Sequence, residues 1–427
     1  VLRDSVANYF KISDLMKKSI FTLSLIAIAS WGQIAIALPL KQISSDRLKY
    51  VGLDNKLGND LTEPQPCSIF TQRINPDCVT ESELEPVWDE AQRQALIKSV
   101  EHSLYYLSTP KAVQSYKKQA DTKFNIDRVR RSLFRFKELL LTTKDPIALE
   151  KAVKAEFNFY QSIGKDQRGR VEFTGYFEPT YTASRVRTAK YRYPLYRMPT
   201  SIQRAKRHPT RAQLEGKDGL ASQKLRNNIL KGHELVWLSD RLEAFLVQVQ
   251  GSARLQMTDG TTMTVGYGGT TNYPYVSVGG ELVKDGVFGK DQLTLPRLLD
   301  FFAANPKQLD KYIPRNNRFI FFRETDGRPP TGSLGVPVTG DRSIATDKSI
   351  MPPGALALIV APIPDVEPNG KIDTRVVSRY VLDQDTGSAI KGAGRVDIFL
   401  GSGEEAGERA GLLNGSGNLF YLLLKDN

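Results

Sequence analysis

Apolar positions divide the chain into two regimes. Between residues 85 and 165 they recur at intervals of three and four: Trp88, Ala91, Ala95, Leu96 and Val100, then Val129, Leu133, Phe134, Phe136, Leu139 and Leu140. That spacing lays one apolar stripe along each of a series of helices. Residues 143–146 interrupt the run, and Pro146 suits the first turn of a further helix. After Gly169 the pattern changes. Short apolar and β-branched runs at 171–176, 244–250, 319–322, 355–361 and 420–424 are separated by Gly, Asn, Asp and Pro. They predict the strands of a sandwich or barrel. Residues 199–235 are basic, rich in Gly and Lys, and predict long loops or an insertion. A short helix is expected at 404–412, capped by Ser402 and stopped by Asn414-Gly415. The expected fold class is mainly β with N-terminal helices.

Length and charge narrow the picture. A chain of 427 residues has room for two or three domains. Its net charge of +12 suits an anionic partner, whether nucleic acid, membrane surface or acidic polymer. No block of Lys and Arg interleaved with aromatics is present, which argues against nucleic acid. Lys17 and Lys18 precede an apolar run at 20–38, and Ala35-Ile36-Ala37 has the small-x-small pattern of a cleavage site. This predicts a signal peptide at 16–37 and export to the periplasm or cell envelope, with an uncleaved membrane anchor as the alternative. No Cys stands at that site to carry a lipid. In an exported chain Cys67 and Cys78 can pair as a disulfide. His102, His208 and His233 have no second ligand at helical spacing, so no metal is expected.

Familiar catalytic signals are missing. The run Gly401-Ser402-Gly403-Glu404-Glu405-Ala406-Gly407 is one residue off the dinucleotide spacing and acidic where a pyrophosphate would lie. There is neither a Walker Lys nor a G-x-S-x-G elbow. Carboxylates remain. Asp347, Asp385 and Asp397 each sit among small and apolar residues. Beside Asp397, Val396, Ile398 and Phe399 would bury a strand. A carboxyl in such a setting loses solvation, which favours its protonated form and equips it to donate a proton. Asp385 and Asp347 also suit ordinary turn or capping roles.

The stretch Asp385-Thr386-Gly387-Ser388-Ala389-Ile390-Lys391-Gly392, with Arg395-Val396-Asp397-Ile398-Phe399, Gly401-Ser402-Gly403 and Ala406-Gly407, resembles the three-aspartate domain of the membrane-bound lytic murein transglycosylase A family. Upstream blocks resemble the same family in the same order. They are Gly175-Tyr176-Phe177-Glu178-Pro179, Gln248-Val249-Gln250-Gly251-Ser252-Ala253-Arg254, Val265-Gly266-Tyr267-Gly268-Gly269-Thr270, Phe319-Ile320-Phe321-Phe322 and Gly335-Val336-Pro337-Val338-Thr339. The resemblance spans residues 85–425. It departs where Ser252-Ala253 follows Gly251, since a second glycine is common there, and in lacking the lipid-attachment Cys.

The resemblance implies a double-psi β-barrel domain with a smaller inserted β-domain and a glycan strand in the cleft between them. The barrel domain would take residues 38–195, with the helical layer, and 325–427; the inserted domain would take 196–324. Asp397 matches the family's acid/base aspartate, with Asp385 and Asp347 in support. Tyr176, Glu178, Gln250, Ser252, Tyr267 and Lys391 are the expected substrate contacts. The activity implied is cleavage of the β-1,4 bond between N-acetylmuramic acid and N-acetylglucosamine with formation of a 1,6-anhydro sugar. No cofactor is expected. Peptidoglycan strands are the expected partner, with other cell-wall enzymes as further candidates, and the chain is expected to act as a monomer. Hydrolysis by water and non-catalytic wall binding are the alternatives.

Overall fold

The computed structural model describes residues 40–43, 90–119, 122–143, 145–289 and 295–426. The expected signal peptide at 16–37, Cys67 and Cys78 lie outside the described residues.

Fourteen strands are described, in two sheets: β1 (Leu40–Ile43), β2 (Phe157–Ser162), β3 (Val171–Glu178), β4 (Thr180–Ser184), β5 (Tyr193–Tyr196), β6 (Glu234–Leu238), β7 (Ser252–Met257), β8 (Thr262–Thr270), β9 (Ile320–Glu324), β10 (Ser343–Ala345), β11 (Leu356–Val366), β12 (Ile372–Asp385), β13 (Arg395–Ser402) and β14 (Asn414–Leu424). In the first sheet the order β14-β11-β12-β10-β13-β3 closes on itself through a β14–β3 pairing, making a six-stranded barrel. The pairs β10–β12 and β13–β3 are parallel and the other barrel pairs antiparallel. β2 extends this sheet from β14, and β1 pairs with β2. The second sheet has the order β5-β6-β4-β7-β8-β9. The chain leaves the barrel after β3 and returns to it at β10. This is the expected double-psi barrel with an inserted β-unit.

Helices cover the barrel. The helix Ile126–Thr142 begins at Asn125, whose side chain accepts from the Arg128 N–H, and buries Val129, Leu133, Phe136 and Leu140. These pack with Leu96 and Val100 of the helix Glu90–Leu107, with Phe157 of β2 and with Ile359, Val381 and Leu422 of the barrel in one core. Phe134, expected on that stripe, is exposed. The second sheet has its own core of Leu235, Val236, Leu238, Leu255, Val265 and Phe322. Two separate apolar cores let the walls of a cleft be built independently.

Several local expectations fail for physical reasons. The helical pattern read over 85–165 ends at Glu156, and Phe157–Ser162 is strand β2, which pairs with β14 and buries Phe157, Phe159 and Tyr160. The run 244–250 is helix, Arg241–Gln250, rather than strand. Asp240 caps it by accepting from the Leu242 and Glu243 N–H groups, and Gly251 ends it with φ of 85°, a left-handed conformation that favours glycine. Residues 199–235 hold the short helices Thr200–Gln203, Arg211–Glu215 and Ala221–Lys224 between their loops, so the stretch after Gly169 is not all β. The helix Glu404–Leu412 has the expected bounds, but Gly403 stands at its N-cap and Ser402 donates to Glu178 instead. Asn414-Gly415 begins β14 rather than stopping the helix.

Candidate active site

Strand alternation sets the reactive face. In β13, Val396 and Ile398 are fully buried, whereas Arg395 and Asp397 face a cleft. The parallel register of β13 with β3 sets Thr174 opposite Asp397, and the Thr174 hydroxyl donates to Asp397 Oδ1. Arg395 Nε lies 3.5 Å from the same oxygen. Gly175 follows Thr174 where the helix Glu404–Leu412 presses on β3. A Cβ there would meet the Ala410 Cα at 2.9 Å, so only glycine keeps this contact.

The cleft runs between the two sheets. On the barrel side it is lined by Thr174, Tyr176, residues 387–390, Arg395 and Asp397. Arg211, Gln248, Gln250, Tyr275 and Arg318 line the opposite side. Asp397 is the single carboxylate among the described lining residues.

Asp385 stands behind this face, at the end of β12. Its Oδ1 accepts from the backbone N–H groups of Ser333 and Thr386, both at 2.8 Å, and its Oδ2 from the Tyr176 hydroxyl at 2.9 Å. Burial pushes its pKa up, against the pull of these donors and of Lys348. The Tyr176 phenol is raised well above its ordinary value, by burial first and then by the charge of Asp385. Asp347 is tied to the loop after β12. Its Oδ1 accepts from the Ser349 N–H at 3.1 Å and hydroxyl at 2.7 Å, and its Oδ2 from the Gly392 N–H at 2.8 Å. Burial opposes ionisation of Asp347, but the Gly392 and Ser349 donors outweigh it and its pKa falls.

Sequence reasoning missed a fourth aspartate. Asp383 is fully buried one pleat before Asp385. It accepts from Thr346 Oγ1 at 2.8 Å and Tyr421 Oη at 2.7 Å, and forms an ion pair with Lys348. Burial pushes its pKa up despite Lys348. The Lys348 ammonium also donates to the Asp385 carbonyl. Between the two aspartates, Gln384 is clamped to Ser99 O at 2.7 Å, Ser103 Oγ at 2.9 Å and Ser343 Oγ at 2.5 Å. The N-terminal helix thus fixes the strand end that carries Asp385.

The other expected residues divide. Tyr176 and Gln250 line the cleft, and Gln250 Oε1 accepts from the Phe177 N–H at 3.2 Å. Glu178 is buried away from the lining, accepting from Ser402 at 2.7 Å with Arg254 at 3.6 Å. Ser252 is buried in β7, Tyr267 is half exposed on β8 and Lys391 is exposed on the loop before β13; none of the three lines the cleft. Arg395 could have been found from its place two residues before Asp397, on the same strand face. Thr174, Arg211 and Arg318 carried no such signal, because long-range pairing brings them to the cleft.

Comparison with known proteins places this geometry. Residues 172–323 match the family described as the MltA specific insert domain, and residues 342–423 match the 3D domain. The chain is similar to the membrane-bound lytic murein transglycosylase A of Escherichia coli strain K12, at 32% identity over 62% of this chain and 68% of that protein. It is 30% identical to the enzyme of the same description from Vibrio cholerae, over 68% of this chain and 74% of that one. Among solved structures, Escherichia coli MltA with bound chitohexaose is similar with a TM-score of 0.60 and 26% identity, covering 78% of this chain and 90% of that chain.

Proposed function

This chain belongs to the membrane-bound lytic murein transglycosylase A family, and from that premise we propose that Asp397 alone carries the proton transfers of its reaction. The chain is a peptidoglycan lytic transglycosylase. Protonated Asp397 donates to the bridging glycosidic oxygen as the bond from C1 of the muramoyl sugar breaks. The electron pair of that bond stays on the leaving oxygen. The C6 hydroxyl of the same sugar then attacks C1 and gives its proton to the Asp397 carboxylate. The product is a 1,6-anhydro sugar, and Asp397 ends protonated as it began.

The observation that carries this reading is that no second carboxylate lines the cleft among the described residues. Hydrolytic glycosidases need two carboxyl groups flanking the bond. An attached hydroxyl replaces the second, because it is already held near C1 at high effective concentration. Asp385 is poorly placed to activate water, since three donors already occupy its two oxygens. Asp385 and Asp347 act as positioning groups: one orients Tyr176, the other ties down the loop at Gly392. Thr174 fixes the Asp397 carboxyl from the neighbouring strand. Tyr176 and Gln250 contact the sugars from the two walls, while Glu178 and Ser252 shape the cleft from behind it. Tyr267 and Lys391, being exposed, contact the strand outside the cleft.

The substrate lies outside the cytoplasmic membrane, so the protein acts in the envelope. Among the described residues no helix is long and apolar enough to cross a membrane. We assign 180–324 to the inserted unit, on the strength of its separate core. Mass spectrometry of digested cell wall tests the reaction: anhydro ends are expected, and reducing ends in their place would establish hydrolysis.

A further inference from the structure

Two arginines on opposite walls of the cleft hold buried Nε–H groups that make no hydrogen bond. Arg318 lies just before β9, on the wall of the second sheet. Its Nη1 donates to Tyr273 O at 3.1 Å, but its Nε is buried without a hydrogen-bond partner. Arg395 opens β13 on the barrel wall, and its Nε is also buried without a hydrogen bond, ion-paired with Asp397 Oδ1 at 3.5 Å. The third arginine of the cleft is different. Arg211 makes four hydrogen bonds, to Asn316 O at 2.8 Å, Arg318 O at 2.5 Å, Gln248 Oε1 at 2.8 Å and Glu215 Oε1 at 3.2 Å. It also stacks on Phe245 and Phe319. Arg211 is therefore a fixed part of the wall, whereas Arg318 and Arg395 have capacity left for a ligand.

A buried N–H without an acceptor is costly, and native structures usually reserve such groups for a ligand, ion or water. The guanidinium fork matches a carboxylate in shape and charge. The cleft itself offers little that is anionic, since Asp397 is its single carboxylate among the described lining residues. Tyr275 lines the same space, and burial pushes its phenol up to about 12, so it stays a neutral donor. A ligand that completes this set supplies acceptors, and two guanidinium groups facing one space favour one that carries negative charge.

We propose that Arg318 and Arg395 form a subsite for a carboxylate attached to the muramoyl sugar beside the bond being cut. The inference rests on the transglycosylase reading and extends it to substrate selection. Two sources supply the same chemistry: a carboxylate of the peptide stem, or the lactyl carboxylate laid bare when the stem is removed. Strands of N-acetylglucosamine alone carry neither. A carboxylate bound between the two guanidinium groups would also draw the barrel and the inserted unit together across the scissile bond.

The test uses three substrates of matched length: stem-bearing strands, stem-free strands with a free lactyl carboxylate, and stem-free strands with that carboxyl capped as a methylamide. Wild-type kcat/KM is expected to favour one or both carboxylate-bearing strands over the capped strand by about tenfold, the size of a charge-assisted hydrogen bond. The preferred strand identifies the source. Arg318→Gln is expected to bring the preference close to one, mainly by raising KM, and Arg318→Lys to restore part of it because it keeps the charge without the fork. Arg395→Gln is expected to lose the preference together with some kcat, since it also adjoins Asp397. Thermal melting of each variant separates misfolding from lost recognition. If the wild type cuts all three strands equally well, or Arg318→Gln slows all three by one factor, the subsite is wrong. A wild type that yields no anhydro ends from any strand overturns the transglycosylase reading, and the subsite with it.

Discussion

The two walls of the cleft are built on different principles. The barrel wall concentrates acid. Asp347, Asp383, Asp385 and Asp397 lie on or beside it, and every one is held by hydrogen bonds from neighbouring strands or loops. The wall from the inserted unit concentrates donors and cations, Gln250, Arg211 and Arg318, and contributes no carboxylate to the described lining. On the proposed reading, chemistry and recognition are divided between two walls that rest on separate apolar cores. The barrel wall must be rigid because proton transfer tolerates little misplacement. The opposite wall need only present complementary groups, which a smaller unit on its own core can do.

Removing Asp397 should break this division most. Asp397→Asn keeps the shape and the Thr174 contact but has no acidic proton to give, so kcat is expected to fall by about a thousandfold. Strand binding, followed by co-sedimentation with cell wall, should persist on the opposite wall. Equal digestion by wild type and variant would remove Asp397 from the acid/base role.

The next effect is on stability and concerns the barrel wall alone. Asp383→Ala strips Lys348 of its buried partner and leaves the Tyr421 hydroxyl without its acceptor. Urea unfolding at neutral pH should show a loss of about 3 kcal/mol. The exposed pair Arg185–Asp259 on the inserted unit supplies the contrast. Arg185→Gln should cost under about 0.5 kcal/mol in the same assay.

Effects smaller than the loss of Asp383 separate Asp347 from Asp385 by their pH dependence. In the folded chain Asp347 lies below the ordinary aspartate value of 3.8. It therefore contributes stability that is full above 3.8 and fades as pH falls through the folded value. Asp347→Asn should cost about 1 kcal/mol at pH 7 and progressively less in acid. Asp385 is raised above 3.8, so its proton-linked contribution is full below 3.8 and is lost as pH rises through the folded value. Relative to wild type, Asp385→Asn should therefore gain stability as pH rises across that window. Unfolding curves from pH 2 to 7 check both slopes, and parallel slopes would mean that the two carboxyls share one environment.

Much of this protein was legible in its sequence. Periodicity gave the helices between 90 and 156 and the barrel strands β3, β11 and β14, because a helix stripe and a short β-branched run are local consequences of backbone geometry. The motif blocks pointed to Asp397, but that it faces the cleft, opposite Val396 and Ile398, is seen only in the folded strand. The run 244–250 was misread because Val247 and Val249 suggest a strand, while Asp240 and Gly251, the caps that decide for helix, lie just outside it. Tertiary structure alone decided the rest. Asp383 reads as one more strand residue until β12, β14 and Lys348 enclose it. Thr174 meets Asp397 across 223 positions of sequence through a parallel register. Arg318 and Arg395 share a cleft because an inserted unit folds back over the barrel. Local geometry is set by neighbours along the chain, so a sequence displays it. Which charges face one another depends on strand order and register, and those are settled only when the two cores close.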